Sequence, residues 1–243
     1  LYRKIALALA AAGHVVLRYD KRGIAGSRAL APREEDLTFP LLQADAQKAL
    51  LALKARPDVR GVVPLGHSEG ALITIRLALA EQVAGLVLMA APGRSLAVVL
   101  TEQIAASGAS PELVAEAGEV LAALARGERV ARVSPALAPL FRPSVQPYLI
   151  SELTIDPAAD LARVRVHTLI LTGGRDLQVS DEDARKLATA RPDATVARLG
   201  EANHIFKAAP ADKAGNIALY RDPAATHHPG VMPALLAFLA GLP

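Results

Sequence analysis

A mostly parallel α/β sheet is the fold class this sequence predicts. Three observations point to it: short apolar runs alternate with stretches of helical composition, one such junction carries Gly66-His67-Ser68-Glu69-Gly70, and the alternation lapses between Met89 and Thr168 before resuming. Parallel strands need a crossover, usually a helix, to return the chain to the same edge, and strands covered on both faces read as continuous apolar runs.

Taken in order, residues 2–12 have helical composition and Gly13 stops them where a helix commonly ends. Residues 14–19 are a β-rich run, followed by a polar, glycine-punctuated loop over 20–27. Leucines at helical spacing predict a helix over 40–56. Strands are expected at 62–65 and 85–89 with a helix between them, and at 168–171 and 195–199 around a helix at 183–190. Ser180, followed by Asp181, Glu182 and Asp183, suits the N-terminus of that helix. A last apolar helix is expected over 232–242. In the interval between the strand pairs, 95–106 and 111–126 read as helices, the second with Ser110 as cap, Pro111 at its first position and Gly127 as stop. The expected organisation is an α/β core made of residues 1–93 and 161–243, with residues 94–160 inserted as a helical cap.

At 243 residues, with 52% hydrophobic and 21% charged content, the chain can bury a core of ordinary size. Aromatic residues make up 3% and Trp is absent, so platforms for stacking nucleic-acid bases are lacking, and a net charge of +3 is too diffuse for a phosphate-binding face. No nucleic-acid partner is expected. The lack of Cys excludes disulfides, thiolate metal sites and cysteine nucleophiles. No uninterrupted apolar stretch reaches the length of a membrane-spanning helix, so no span is expected. The cytoplasm is the expected compartment, with export left open because the chain begins at Leu1 and not at Met.

Gly66-His67-Ser68-Glu69-Gly70 fits G-x-S-x-G in the context that motif requires, an apolar strand before it and a helix after. A serine at the apex of so sharp a turn holds a strained backbone angle. Its neighbours two residues away are expected to lack side chains so that strand and helix can pass closely. The turn lifts the Ser68 hydroxyl above the sheet and aims the backbone N–H of Glu69 at a reacting carbonyl oxygen. The Glu69 carboxylate is expected to form a structural pair near the loop containing Arg22.

A serine hydroxyl needs a base, and the base an orienting carboxylate. In an open α/β sheet the useful residues sit just beyond the carboxyl ends of the strands. Asp176 is the first acid after the 168–171 run, and His204 follows the 195–199 run. Ser68, Asp176, His204 is the chain order expected of an α/β-hydrolase triad. Asp176 has a second reading as the residue that stabilises the Gly173-Gly174 turn. Among the other histidines, His14 and His167 precede strands, and His67 is expected to pack or hydrogen-bond in the elbow. His227-His228 is a rival base, or part of a solvated loop, and lacks a third ligand that would make a metal site.

Further segments carry a resemblance. Leu17-Arg18-Tyr19-Asp20-Lys21-Arg22-Gly23-Ile24, the elbow over 66–71, Val145-Gln146-Pro147-Tyr148-Leu149, Ile155-Asp156-Pro157-Ala158, Asp176-Leu177-Gln178-Val179 and Asn203-His204-Ile205-Phe206-Lys207 together resemble bacterial carboxylesterases grouped with the serine aminopeptidase-like α/β-hydrolases. The resemblance implies Ser68 as nucleophile, Asp176 as orienting acid and His204 as general base, with a cap over an acyl pocket and no cofactor or metal. It implies a small-molecule ester of a short or medium acyl chain as substrate, cleaved through an acyl-enzyme. The same triad also serves an aminopeptidase or amidase, for which Glu112, Glu116 and Glu119 in the cap would bind an amino group or simply form a solvated face. A non-catalytic binding protein is the alternative from another class. Such hydrolases have eight strands, whereas this sequence offers candidates only for strands 4 to 8. A preceding segment of the same polypeptide is therefore expected to complete the sheet with strands 1 to 3 and to supply a second oxyanion N–H.

Overall fold

The computed structural model describes residues 2–243. These residues divide into two compact units: one takes in the chain up to Arg18, Ala49–Gly93 and Pro157–Pro243, the other Tyr19–Lys48 and Arg94–Asp156. The second unit thus includes, besides the inserted helices, a stretch from the N-terminal third of the chain.

The first unit is built on four parallel strands, β1 (Leu65–His67), β2 (Leu86–Met89), β3 (Thr168–Gly173) and β4 (Thr195–Leu199), in that spatial order. Leu65 lies opposite Val87, Leu86 opposite Thr168 and Leu169 opposite Thr195. α1 (Tyr2–Ala11) precedes the sheet, α3 (Glu69–Ala80) links β1 to β2, and α9 (Asp181–Ala190) links β3 to β4. α2 (Phe39–Lys54) carries the chain from the second unit into the first. The two faces of the sheet bury different clusters. Val87, Met89, Leu169 and Leu171 pack with Ile5 and Leu9 of α1, and with Val231 and Leu235 of the C-terminal helix Val231–Ala240. Leu86, Leu88 and Ile170 pack with Ala71 and Ile75 of α3 and with Ala184 and Leu187 of α9. Burial on both faces is why the strands read as unbroken apolar runs.

Two strand expectations are corrected. The regular ladder of β1 begins at Leu65, not at residue 62, and runs into the Gly66-His67 pair. Pro64 is the reason: it lacks an N–H, so it contributes only its carbonyl, to Val87 N–H at 3.0 Å. Residues 14–19 form no strand, and Val15, Leu17 and Tyr19 are exposed. β-propensity alone makes no strand: among the described residues no neighbouring chain offers this stretch a ladder. Among the described residues the sheet therefore has four strands where five were expected.

The second unit has its own core, in which Ile104, Leu121, Leu124, Phe141 and Leu149 are buried. Its helices include α4 (Leu96–Ala106), α5 (Pro111–Ala125), α6 (Ala138–Phe141) and α7 (Gln146–Leu153), and α8 (Pro157–Arg163) leads back into the first unit. The Ser110 hydroxyl accepts the Leu113 N–H as the expected cap of α5. No helix among the described residues is long and apolar enough to cross a membrane.

Candidate active site

Ser68 sits between β1 and α3 with φ 54° and ψ −127°, a region that non-glycine residues avoid. Its own N–H donates to the Met89 carbonyl at 2.9 Å and its carbonyl accepts the Ala71 N–H at 2.9 Å, so the surrounding ladder and helix hold the strain in place. The steric reading of the flanking glycines holds at one of them. A Cβ on Gly66 would fall 2.3 Å from the Gly70 carbonyl oxygen and 2.6 Å from the Ala71 Cα. A Cβ on Gly70 would meet nothing within 4 Å, so close passage of strand and helix does not require that glycine. Glu69 is the first residue of α3, at the positive end of the helix dipole. The carboxylate partner of Arg22 is Asp45, bound along one edge of the guanidinium through Nε and Nη2 at 2.8 and 2.6 Å.

Asp176 and His204 meet. His204 Nδ1 lies 2.8 Å from Asp176 Oδ2, and the two side chains are 5% and 1% exposed. Nδ1–H donates to the carboxylate, which leaves Nε2 as the basic nitrogen. The other Asp176 oxygen accepts the N–H groups of Gln178 and Val179 at 2.7 and 3.0 Å. One side chain therefore binds both the amides of Gln178 and Val179, and not those of the Gly173-Gly174 turn, and the imidazole of His204.

The closeness of these two loops has a backbone cause. A Cβ on Gly173 would lie 2.4 Å from the Ala202 carbonyl oxygen, and one on Gly174 2.5 Å from that of Gly200. Because both are glycines, Gly174 N–H reaches the Leu199 carbonyl at 2.8 Å and Arg175 N–H that of Ala202 at 2.9 Å. The histidine loop is then pinned from inside. Asn203, fully buried, accepts the N–H groups of Ile205 and Lys207 at 3.2 and 3.0 Å and donates to Asn216 Oδ1 at 3.1 Å. Asn216 in turn donates to the Arg175 carbonyl at 2.8 Å. The buried Lys207 ammonium donates to the Leu219 carbonyl at 2.8 Å and to that of Asp222. The Asn216 and Lys207 contacts join residues far apart in sequence, so no local spacing announced them.

Among the described residues no hydrogen bond joins the Ser68 hydroxyl to His204. The elbow reaches the histidine loop through its neighbour: His67 Nε2 is 2.7 Å from the His204 carbonyl oxygen. Of the rival histidines only His228 has its ring engaged by a hydrogen bond among the described residues, whereas His227 Nε2 is buried without a partner. His228 Nδ1 accepts the Gly230 N–H at 3.1 Å, and His227 bridges to Lys207 in a backbone pair. The Tyr220 phenol is pushed up by burial, an effect opposed by hydrogen bonds with Gln178 and the His204 backbone.

Residues 2–218 match the family model described as "Alpha/beta hydrolase family", and the chain belongs to that family. It is 30% identical over 211 residues to esterase EstD of Thermotoga maritima, covering 85% of this chain and 49% of that one. The chain thus spans about half the length of this relative. A crystal structure of a bromoperoxidase from Bacillus anthracis superposes with a TM-score of 0.60 at 20% identity, covering 98% of this chain and 86% of that one. A hydrolase from Pseudomonas aeruginosa gives 0.58 at 23% identity, with 98% and 85% coverage. At such identities these structures speak for the fold alone. The fold hosts chemistries as different as the names of these relatives.

Proposed function

We propose that the protein is a serine hydrolase of carboxylic esters with short to medium acyl chains. The observation that carries this reading is the 2.8 Å bond between His204 Nδ1 and the buried Asp176 carboxylate, in the unit that also carries the strained Ser68 elbow. Ser68 Oγ attacks the ester carbonyl carbon while its proton passes to His204 Nε2, and the oxyanion that forms accepts the Glu69 N–H. The C–O bond to the alcohol breaks, the alkoxide takes the proton from His204, and an acyl-Ser68 remains. Water then attacks the acyl carbon with His204 again as base, releasing the acid and restoring Ser68. Asp176 holds the imidazole tautomer and balances its charge throughout.

The likeness to an esterase supports ester over amide chemistry. The amino-group reading of the cap acids is weakened by their local roles: Glu116 accepts the Ser134 N–H at 2.7 Å, and the Ser110 hydroxyl holds the Glu112 carboxyl below its ordinary range. The test is covalent labelling with a fluorophosphonate, located by peptide mapping, beside a panel of nitrophenyl esters and aminoacyl nitroanilides. Label on Ser68 and turnover of the esters are expected. Labelling without ester turnover, with nitroanilides cleaved, would replace the esterase reading by a peptidase one, and an unlabelled Ser68 would leave a binding protein.

A further inference from the structure

His67 is bound to the histidine loop on one side and to α1 on the other. A carbonyl oxygen can only accept, so the 2.7 Å contact with the His204 carbonyl places the ring proton of His67 on Nε2. Nδ1 is then the acceptor, and the Tyr2 hydroxyl donates to it at 3.0 Å. The rings of His67 and His204 lie 4.7 Å apart at 56°, and Phe206 meets His67 edge-on at 6.1 Å. Burial first, and the adjacent His204 second, push His67 from 6.5 down to about 4, so that the ring stays neutral beside a base that must itself gain a proton.

We propose that His67 is a positioning residue for the general base: Tyr2 locks its tautomer, its Nε2–H pins the His204 carbonyl, and its place next to Ser68 ties the base loop to the nucleophile elbow. The inference rests on the serine-hydrolase reading above. The link matters because the His204 loop has strain of its own to contain, with Phe206 at φ 56° two residues on. A misplacement of about 1 Å between nucleophile and base lowers a rate by about a hundredfold.

The test compares His67→Leu, His67→Gln and Tyr2→Phe for nitrophenyl ester hydrolysis, Ser68 labelling and the downfield proton resonance of His204 Nδ1–H. His67→Leu keeps bulk without a donor and is expected to lower kcat about ten- to a hundredfold with KM changed less than about threefold. His67→Gln, whose amide nitrogen can donate to the same carbonyl, is expected to return to within about fivefold of wild type and to restore a downfield signal broadened in the leucine variant. Tyr2→Phe alters an exposed side chain, so it preserves the fold and is expected to cost about threefold in kcat. The proposal is overturned if His67→Leu keeps the wild-type kcat and proton signal. It is equally overturned if the glutamine variant is no better than the leucine one while Tyr2→Phe is fully active. Failure of the underlying reading has a different signature, a wild-type protein that neither labels at Ser68 nor hydrolyses esters, and that result would remove this inference too.

Discussion

The elbow and the His204 loop each hold a non-glycine residue at positive φ, Ser68 at 54° and Phe206 at 56°, yet different forces hold them there. At the elbow the constraint is steric: Gly66 lets α3 pass β1, and ladder and helix bonds fix the apex. At the histidine loop it is polar and long-range: Asn203, Asn216 and Lys207 satisfy buried backbone groups from within. His67 belongs to the first turn by sequence and to the second by contact. A steric constraint is concentrated in a few adjacent residues, whereas a polar scaffold is spread along the chain.

The largest effects test whether the two turns serve one reaction. Ser68→Ala and His204→Ala are each expected to abolish ester turnover to background, and Asp176→Asn to lower kcat about 10⁴-fold, read by initial rates on a nitrophenyl ester. Equal activity in all three would separate the turns altogether.

Next comes acid. The unfolded chain protonates His67 near 6.5 and the folded one only near about 4, so in between the unfolded state binds more protons. The stability this ring contributes is complete above 6.5 and is lost as pH falls through 4, by about 3 kcal/mol. Urea unfolding at several pH values should show that loss, and His67→Gln should flatten it.

Smaller effects sharpen the contrast within each turn. Gly66→Ala drives a Cβ into backbone that cannot yield and is expected to destabilise by about 2 to 3 kcal/mol. Asn203→Ala strands two buried amides and one side-chain carbonyl, at about 2 kcal/mol, with the loss of activity exceeding what the unfolded fraction explains. Gly70→Ala, with open space around it, should change stability by less than about 1 kcal/mol in the same denaturation experiment. A Gly70→Ala variant as unstable as Gly66→Ala would contradict the steric account of the elbow.

Much of the fold was legible because its signals are local. The apolar runs of β2 and β3, the Ser110 cap of α5 and the glycine-flanked Ser68 each declare themselves within a few residues. Residues 14–19 misled for the same reason: their β-rich composition is local, but a strand exists only beside a partner. The partner of Arg22 was not legible at that range, since nothing in its neighbourhood says that Asp45 will reach it.

By itself the sequence determined which residue types stand after which strands, and hence that Ser68, Asp176 and His204 belong to one end of a parallel sheet. Strand direction and periodicity suffice for that. Only the tertiary structure decided that Asp176 lies within 2.8 Å of His204, that Gly173 and Gly174 let their loops meet, and that His67 grips the His204 carbonyl. Those are distances between residues that the chain separates by 25 to 137 positions, set by how β3, β4 and the elbow pack. Propensity and spacing carry no information about them.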